Sequence, residues 1–164
     1  MVDDKLDVVI VPARAGSKDL KNKNLIELEG VPLFERAVKQ GYEHSSRVIL
    51  STDIPEVLSG SIYTSAEIHL RSDQTATDVA SMEDVLREII QDKNLINHNV
   101  MLLQPTSPLR KFCDINGAIS LFHENRTSLV VSCIKTGSEI LKSIIEFEGK
   151  YFAIRMQEYL FQNR

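Results

Sequence analysis

Residues 8–25, VVIVPARAGSKDLKNKNL, combine an apolar run with a basic loop. The run at residues 8–11 is made of valine and isoleucine, which predicts a buried strand that ends at Pro12. The loop that follows contains Ala15 and Gly16, which are small enough for a phosphate group to approach the backbone closely. Four cationic side chains lie in the same loop: Arg14, Lys18, Lys21 and Lys23.

A strand that leads into a small-residue, cation-rich loop is one way in which α/β proteins bind polyphosphates. A solvated basic turn after an ordinary strand has the same local pattern, so both interpretations stay open on this stretch alone. The loop contains neither G-x-x-x-x-G-K-[ST] nor G-x-G-x-x-G. It is therefore not a Walker loop or a dinucleotide-binding fingerprint.

Length and composition favour a single globular domain over residues 1–164. The chain is 43% hydrophobic and 26% charged, which allows a core of ordinary size. Its formal net charge of −4 disfavours a general nucleic-acid-binding protein, because contacts to a phosphate backbone need a basic face. Aspartates at positions 3, 4 and 7 interrupt any apolar signal segment, and no apolar run approaches membrane-spanning length. We expect a soluble, cytoplasmic protein that does not bind a membrane.

Cysteines and histidines do not form a metal-binding pattern in the sequence. Cys113 and Cys133 are far apart and lie in unlike contexts, which suits a reducing intracellular setting. The histidines are scattered without an H-x-x-x-H pair, and we expect them at the surface or at element edges: His44, His69, His98 and His123.

Strand and helix patterns alternate along the chain. Helical patterns begin near residue 33, run from residue 81 to about residue 93, and cover residues 114–124. Further strands are predicted at residues 47–53, 67–70, 100–103 and 129–133, with 100–103 in the centre because both its faces are apolar. Residues 139–164 resemble a hairpin around Gly149. This order predicts a three-layer α/β fold with a doubly wound, mainly parallel sheet.

Three polar segments follow predicted strands: the loop after Val11, residues 71–81, and residues 104–110. In doubly wound folds, ligands bind outside the carboxyl ends of the strands. Each segment is weak evidence by itself, but together they predict one binding site.

The motifs in these segments resemble those of the acylneuraminate cytidylyltransferases, which include the CMP–sialic acid synthetases. The similarity spans residues 8–135 and keeps the family's order. Four motifs carry it: PARAGSK at 12–18 with Lys23 and Asn24; STD at 51–53; Arg71 with Ala76, Thr77, Asp78, Ala80 and Ser81; and LLQPTSPLR at 102–110. The resemblance implies the Rossmann-like fold of nucleotide-diphospho-sugar transferases.

The resemblance also implies a reaction: transfer of a cytidylyl group from CTP to the anomeric hydroxyl of a nine-carbon 2-keto sugar acid, with release of pyrophosphate. Arg14 is implied as the principal phosphate contact and Lys23 as its assistant, which makes these two the predicted catalytic residues. Lys18 is implied as a third phosphate contact. Asn24 would hold the sugar or the phosphates of the nucleotide.

Cytosine is expected to be recognised by the segment at residues 71–81. Arg71 can donate to the acceptors on the cytosine edge, while a main-chain carbonyl near Ala80 can accept from its amino group. Ser81 either contacts the ligand or caps the following helix, or does both. Asp78 is expected to fix its loop rather than to bind CTP. For Asp53, which follows a strand, the same two roles stay open, and it is left out of the predicted site.

The turn at residues 104–110 resembles the family region where nucleotide and sugar acid meet. Gln104, Thr106 and Ser107 are implied as substrate-binding residues there. Arg110 either faces the carboxylate of the acid or braces the turn, and the two roles stay open.

By resemblance, the enzyme uses Mg²⁺ and forms a homodimer. The family's Mg²⁺ ligands are an aspartate pair downstream of the region present here, so no metal ligand is predicted in this chain. We expect the domain to be incomplete at its C-terminus, with residues 139–164 belonging to a dimerisation segment. Two alternatives remain: a non-catalytic nucleotide-binding remnant of the family, and a related nucleotidyltransferase with another acceptor.

Overall fold

The computed structural model describes residues 6–16, 20–77, 79–124, 129–132, 144–147 and 150–153. They fall into two compact units, Met1–Leu129 and Val130–Arg164, so one domain over residues 1–164 stays a prediction. The elements in chain order are β1 (Val8–Ala13), a 3-10 helix (Lys23–Leu25), β2 (Glu27–Leu28), β3 (Val31–Pro32), α1 (Leu33–Tyr42), β4 (Val48–Thr52), α2 (Pro55–Leu58), β5 (Glu67–Leu70), α3 (Met82–Asp92), β6 (Val100–Leu102), α4 (Phe112–Glu124), β7 (Ile144–Phe147) and β8 (Lys150–Ala153).

Four parallel strands form the sheet of the first unit, in the order β5–β4–β1–β6. In the register of β1, Val9 lies opposite Val48 of β4 and Val8 lies opposite Val100 of β6. Every residue of β1 and β4 is buried, as expected for β-branched and apolar side chains in strands covered on both faces.

Helices cover both faces of this sheet, which confirms the doubly wound prediction. On one face, Val9 and Val11 of β1 pack in a core with residues of α1 and α4. On the other face, Val8 and Ile10 pack with Val85 and Ile89 of α3. Alternate residues of one strand therefore belong to two separate cores, because successive strand side chains point to opposite faces.

The prediction that residues 100–103 form a central strand is wrong for the described sheet. β6 lies at its edge, next to β1 alone, and its three residues are only partly buried. An apolar pattern reports that layers cover the two faces of a strand. It carries no information about hydrogen-bonded neighbours, which decide whether the strand is central or at an edge.

Residues 129–132 are not a strand, contrary to the prediction for residues 129–133. Leu129 and Val131 are 72% and 69% exposed, so the apolar run is not packed as a core strand would be. Strand propensity is realised only where a neighbouring strand and a packed face exist. Cys133 lies outside the described residues.

In the second unit, β7 and β8 form an antiparallel pair, with Ile144 opposite Ala153 and Phe147 opposite Lys150. This arrangement agrees with the hairpin expected around Gly149. Across the described residues, none of the helices combines the length and the apolar character that crossing a membrane requires.

The sequence predicts histidines at the surface or at element edges, and His44 lies just after the end of α1, where it is buried. It is 4% exposed, and its ring stacks on Phe112 with the ring centroids 4.9 Å apart. Within the described part of the chain, Nε2 of His44 has no hydrogen-bond partner. Burial is the main cause that lowers the pKa of His44, so the ring is held neutral in the fold.

Candidate nucleotide site

The three predicted segments converge at the carboxyl edge of the sheet. They line a cavity of about 190 Å³ together with the 3-10 helix. The lining residues are Pro12 in β1 and Arg14 just after it; Lys23 and Asn24 in the 3-10 helix; Arg71, Thr77, Ala80, Met82 and Val85 in the segment after β5 and the start of α3; and Gln104, Pro105 and Thr106 after β6. Because the strands are parallel and adjacent, segments that are distant in sequence meet at this edge.

The loop after β1 is held from two sides. The main-chain N–H of Ala15 donates to Oδ1 of Asp53 over 2.7 Å, and Nδ2 of Asn24 donates to the carbonyl of Arg14 over 2.9 Å. Asn24 is itself buried, so one of its roles is to fix the main chain beside Arg14. Asp53 fixes this loop, which is one of the two roles that the sequence left open for it. Lys18 lies outside the described residues.

A second cavity, of about 440 Å³, adjoins the same loop. Arg14 and Asn24 line both cavities, and Lys21, Ile54 and Glu56 are among the further residues that line this larger one. The basic loop therefore borders open space on two sides. Arg14 is half-buried at this position.

Arg71 is the most deeply buried cation of the site, with 7% exposure. Its Nε donates to Oγ of Ser51 over 3.2 Å, and its Nη1 donates to the carbonyl of Thr75 over 3.4 Å. Burial lowers the pKa of Arg71 and the carboxylate of Asp53 opposes that effect. Because an arginine stays protonated in proteins, the cavity wall carries a fixed positive charge at this point.

The segment that ends at α3 shows the capping role of Ser81. Its Oγ accepts from the main-chain N–H of Asp84 over 3.1 Å, and its main-chain N–H donates to Oδ2 of Asp84 over 3.2 Å. Oγ of Ser81 also donates to Oδ2 of Asp84 over 2.7 Å, and the two hydrogen bonds that this carboxylate accepts from Ser81 lower the pKa of Asp84. Ser81 is not among the residues that line the cavity, whereas Ala80 is. Asp78 lies outside the described residues.

The turn after β6 is braced against α1 by Arg110. Its Nη1 donates to Oε1 of Gln40 over 3.1 Å, its Nη2 donates to the carbonyl of Gln104, and Nε2 of Gln40 donates to the carbonyl of Arg110 over 3.1 Å. Burial lowers the pKa of Arg110. Of its two open roles, bracing is the one that these contacts display. Gln104 and Thr106 reach the cavity wall, while Ser107 and Arg110 are not among its lining residues.

Comparison with known proteins decides the family. The family model described as Cytidylyltransferase matches residues 8–144, which is most of the chain. The chain belongs to the cytidylyltransferase family. This confirms the family predicted from the motifs.

Two curated relatives share 31% identity with this chain over 129 residues. One is an N-acylneuraminate cytidylyltransferase of Streptococcus agalactiae serotype V, for which the match covers 76% of this chain and 31% of the relative. The other is a CMP-N,N'-diacetyllegionaminic acid synthase of Legionella pneumophila, with 75% and 56% covered. The chain thus spans between a third and just over half of the length of these relatives.

A solved structure of CMP:2-keto-3-deoxy-manno-octonic acid synthetase complexed with CTP matches this chain with a TM-score of 0.61. The sequence identity is 20%, and the match covers 74% of this chain and 49% of that chain. At this identity the likeness supports the fold.

Sequence reasoning missed the residues that support Arg71 from behind. His69 lies in the edge strand β5 and is 2% exposed, and Nδ1 of its ring lies 3.1 Å from Oγ of Ser51. The carboxylate of Glu88 in α3 accepts hydrogen bonds from Ser72 and Thr75 in the loop after β5. The alternation of β5 contained part of the signal, because residues two apart in a strand share a face and His69 precedes Arg71 by two. Glu88 had no comparable signal, since its partners come from tertiary contact.

The described residues do not fit a magnesium site. Among them, no three His, Cys, Asp or Glu side chains form a group that could hold a metal ion. Asp53, the carboxylate beside the basic loop, already accepts the hydrogen bond from Ala15. No ligand for Mg²⁺ is assigned to the described part of the chain.

Proposed function

We propose that this member of the cytidylyltransferase family transfers a cytidylyl group from CTP to the anomeric hydroxyl of a nine-carbon 2-keto sugar acid and releases pyrophosphate. The observation that carries the proposal is the convergence of three family motifs on one cavity at the carboxyl edge of the sheet. The names of the two curated relatives support a sialic acid or a legionaminic acid as the acceptor.

Arg14 and Lys23 are the proposed catalytic residues. Both line the cavity, and both can donate to phosphate oxygens. Negative charge grows on the pyrophosphate as it leaves, so fixed cations lower the barrier by stabilising the leaving group. The bond from Asn24 to the carbonyl of Arg14 holds the loop in place before the ligand arrives. Lys18 is proposed as a further phosphate contact.

Arg71 and Ala80 are the proposed base-recognition residues. Cytosine presents acceptors at O2 and N3 and an amino group at C4, so a guanidinium and a main-chain carbonyl on one wall match its edge. Arg71 has no acceptor of its own, and it would meet the N3–H of uracil with another donor. The same wall therefore disfavours UTP. Ser81 is proposed to support this wall through its cap on α3.

Gln104 and Thr106 are proposed to contact the acceptor sugar, with Ser107 in the same turn. A side-chain amide and a hydroxyl suit the hydroxyl groups of a sugar acid. Arg110 is proposed to act on the acceptor through the conformation of this turn. By resemblance, we propose a homodimer as the active assembly, which light scattering on the purified chain tests.

Pyrophosphate release provides the direct test. The chain is incubated with CTP, Mg²⁺ (the cofactor that the resemblance implies) and one of N-acetylneuraminate, legionaminate or pseudaminate. We expect release with at least one acid, none without an acid, and a CMP-sugar acid product in the mass spectrum. CTP binding without turnover on any acid would contradict a transferase and favour the non-catalytic alternative. Turnover with another nucleotide or acceptor would favour a different nucleotidyltransferase.

A further inference from the structure

We propose that Glu88 is a positioning residue that, together with Ser51 and His69, holds Arg71 in the orientation that selects cytosine over uracil. This inference rests on the proposed function for its nucleotide, but its geometry stands on the fold alone. None of the three residues lines the cavity, so each acts on a ligand only through Arg71 and the loop that follows it.

Two hydrogen bonds that the guanidinium of Arg71 donates, to acceptors in different parts of the chain, set its orientation. Ser51 of β4 accepts from Nε, and the carbonyl of Thr75 accepts from Nη1. A guanidinium is planar, so two such bonds determine the direction of its remaining donors. Arg71 lines the cavity, and its Nη2 makes no hydrogen bond to another described residue, so we assign this nitrogen as the donor to a ligand.

The hydroxyl of Ser51 transmits this constraint to His69. Arg71 can only donate, so Oγ of Ser51 accepts from it, and the same Oγ lies 3.1 Å from Nδ1 of His69. In the neutral ring with its proton on Nε2, Nδ1 accepts from this hydroxyl. Nε2 faces two carboxylates of α3, with Oε1 of Glu88 at 3.7 Å and Oδ2 of Asp92 at 4.0 Å.

Glu88 stabilises the turn that supplies the second acceptor for Arg71, the carbonyl of Thr75. Its Oε1 accepts from the main-chain N–H of Ser72 over 2.8 Å, while its Oε2 accepts from Oγ of Ser72 over 3.1 Å and from Oγ1 of Thr75. One carboxylate therefore holds both ends of the turn whose last carbonyl binds Nη1. Burial acts to raise the pKa of Glu88, but the bonds from Thr75 and Ser72 outweigh it and keep the group ionised.

Selectivity follows from the rigidity of this arrangement. A guanidinium held in one orientation offers its donor to N3 of cytosine, and it cannot turn away from the N3–H of uracil. If the turn at residues 72–75 becomes more flexible, Arg71 can rotate. Bound CTP then loses a well-placed hydrogen bond, whereas bound UTP is relieved of a repulsive donor–donor contact. The ratio of CTP to UTP affinity should therefore fall.

The test compares Glu88→Gln with Glu83→Gln. Glu83 lies on the same helix, is exposed and pairs with Arg87 alone among the described residues, so its variant controls for charge on α3. Calorimetry with CTP and with UTP should show for Glu88→Gln a loss of about tenfold in CTP affinity and a similar fall in the CTP/UTP ratio. Glu83→Gln should match the unaltered protein. An unchanged CTP/UTP ratio in a folded Glu88→Gln protein would overturn the proposal.

A second measurement needs no ligand. The NMR signal of the Nε–H group of Arg71 should exchange slowly with water in the unaltered protein and faster in both Glu88→Gln and Ser51→Ala. Equal exchange rates in all three proteins would contradict the positioning role. If the chain binds no CTP, the proposed function fails, while the exchange rates still decide whether the network holds Arg71. If Glu88→Gln does not fold, Ser51→Ala takes its place in both measurements.

Discussion

Asp53 and Ala15 are joined by a 2.7 Å hydrogen bond that ties the basic loop to the end of the neighbouring strand. Asp53 directly follows β4, and Ala15 lies two residues after β1, which is paired with β4 in the sheet. A carboxylate at a strand end thus holds the main chain where a phosphate would bind. Asp53 supports the loop without contacting the ligand, because the negative charge of its carboxylate would repel a phosphate group.

Replacing Asp53 should weaken CTP binding through the loop. Asp53→Ala removes the acceptor for the N–H of Ala15, and we expect CTP affinity to fall by about tenfold. Asp53→Asn keeps an oxygen acceptor and should lose less. Calorimetric titration with CTP measures both, with Glu27→Ala, an exposed carboxylate in β2, as the control. Equal losses in the alanine and asparagine variants would show that charge rather than the hydrogen bond matters.

Arg14→Ala should remove most CTP binding and turnover. Its guanidinium lines both cavities beside the basic loop, where charge-assisted bonds to phosphate are expected to supply much of the affinity. We expect a loss of about 100-fold in CTP affinity. Arg47→Ala is the matched control, because Arg47 pairs with Glu67 on the surface. Normal CTP binding by Arg14→Ala would refute the phosphate-loop assignment.

Arg110 and Gln40 should behave alike if Arg110 braces the turn. Arg110→Ala removes its bonds to Gln40 and to the carbonyl of Gln104, so the KM for the sugar acid should rise by about tenfold while CTP affinity changes little. Gln40→Ala breaks the same brace from the side of α1 and should reproduce part of the effect. A raised KM in Arg110→Ala alone would indicate direct contact with the carboxylate of the acid instead.

Much of the fold was predictable because its signals are local. The cap of α3 follows from the Ser81–Asp84 spacing, and the strand predicted at residues 67–70 has the bounds of β5 in the structure. The place of β6 at the sheet edge was not predictable, because pairing partners leave no trace in a strand's own pattern.

For the site, the sequence predicted the segments that line the cavity, but not the contacts that hold these segments in place. The positions of Arg14, Arg71 and Gln104 around one cavity agree with three motifs at strand ends. The contacts of Glu88 and His69 depend on how α3 packs against β5, which no local pattern encodes.

Stability should fall as the pH drops below neutrality. Burial is the largest cause that lowers the pKa of both His44 and His69. The unfolded chain takes up protons as the pH falls through about 6.5, while the folded rings stay neutral until their lower pKa values are reached. Over that window the unfolded state binds more protons, so the free energy of unfolding decreases. Above about pH 7.5, neither histidine should contribute to the pH dependence of the free energy of unfolding.

Urea unfolding at pH 7.5 and pH 5.5 measures this effect. The unaltered protein should lose more stability between the two values than His44→Gln or His69→Gln, with His98→Gln at an exposed position as the control. The pKa values of Glu67 and Glu88 are lowered as well, but these carboxylates change the free energy of unfolding only as the pH approaches about 4.3. An identical loss in all four proteins would exclude the buried histidines as its origin.

Gly41 and Gly117 should respond in opposite directions to alanine. A Cβ added at Gly41 of α1 would lie 3.0 Å from Cγ1 of Val9 and 3.2 Å from Cγ2 of Val48, both in the buried sheet. Overpacking of this kind costs about 1–3 kcal/mol, which exceeds the gain of about 1 kcal/mol in helix propensity. At Gly117 of α4 the added atom would meet nothing within 4 Å, so the propensity gain of about 0.5–1 kcal/mol should appear in full. Urea unfolding of the two variants tests the pair. A stabilising Gly41→Ala substitution would show that α1 can move away from β1 and β4, and that the close helix–sheet contact is not required by the fold.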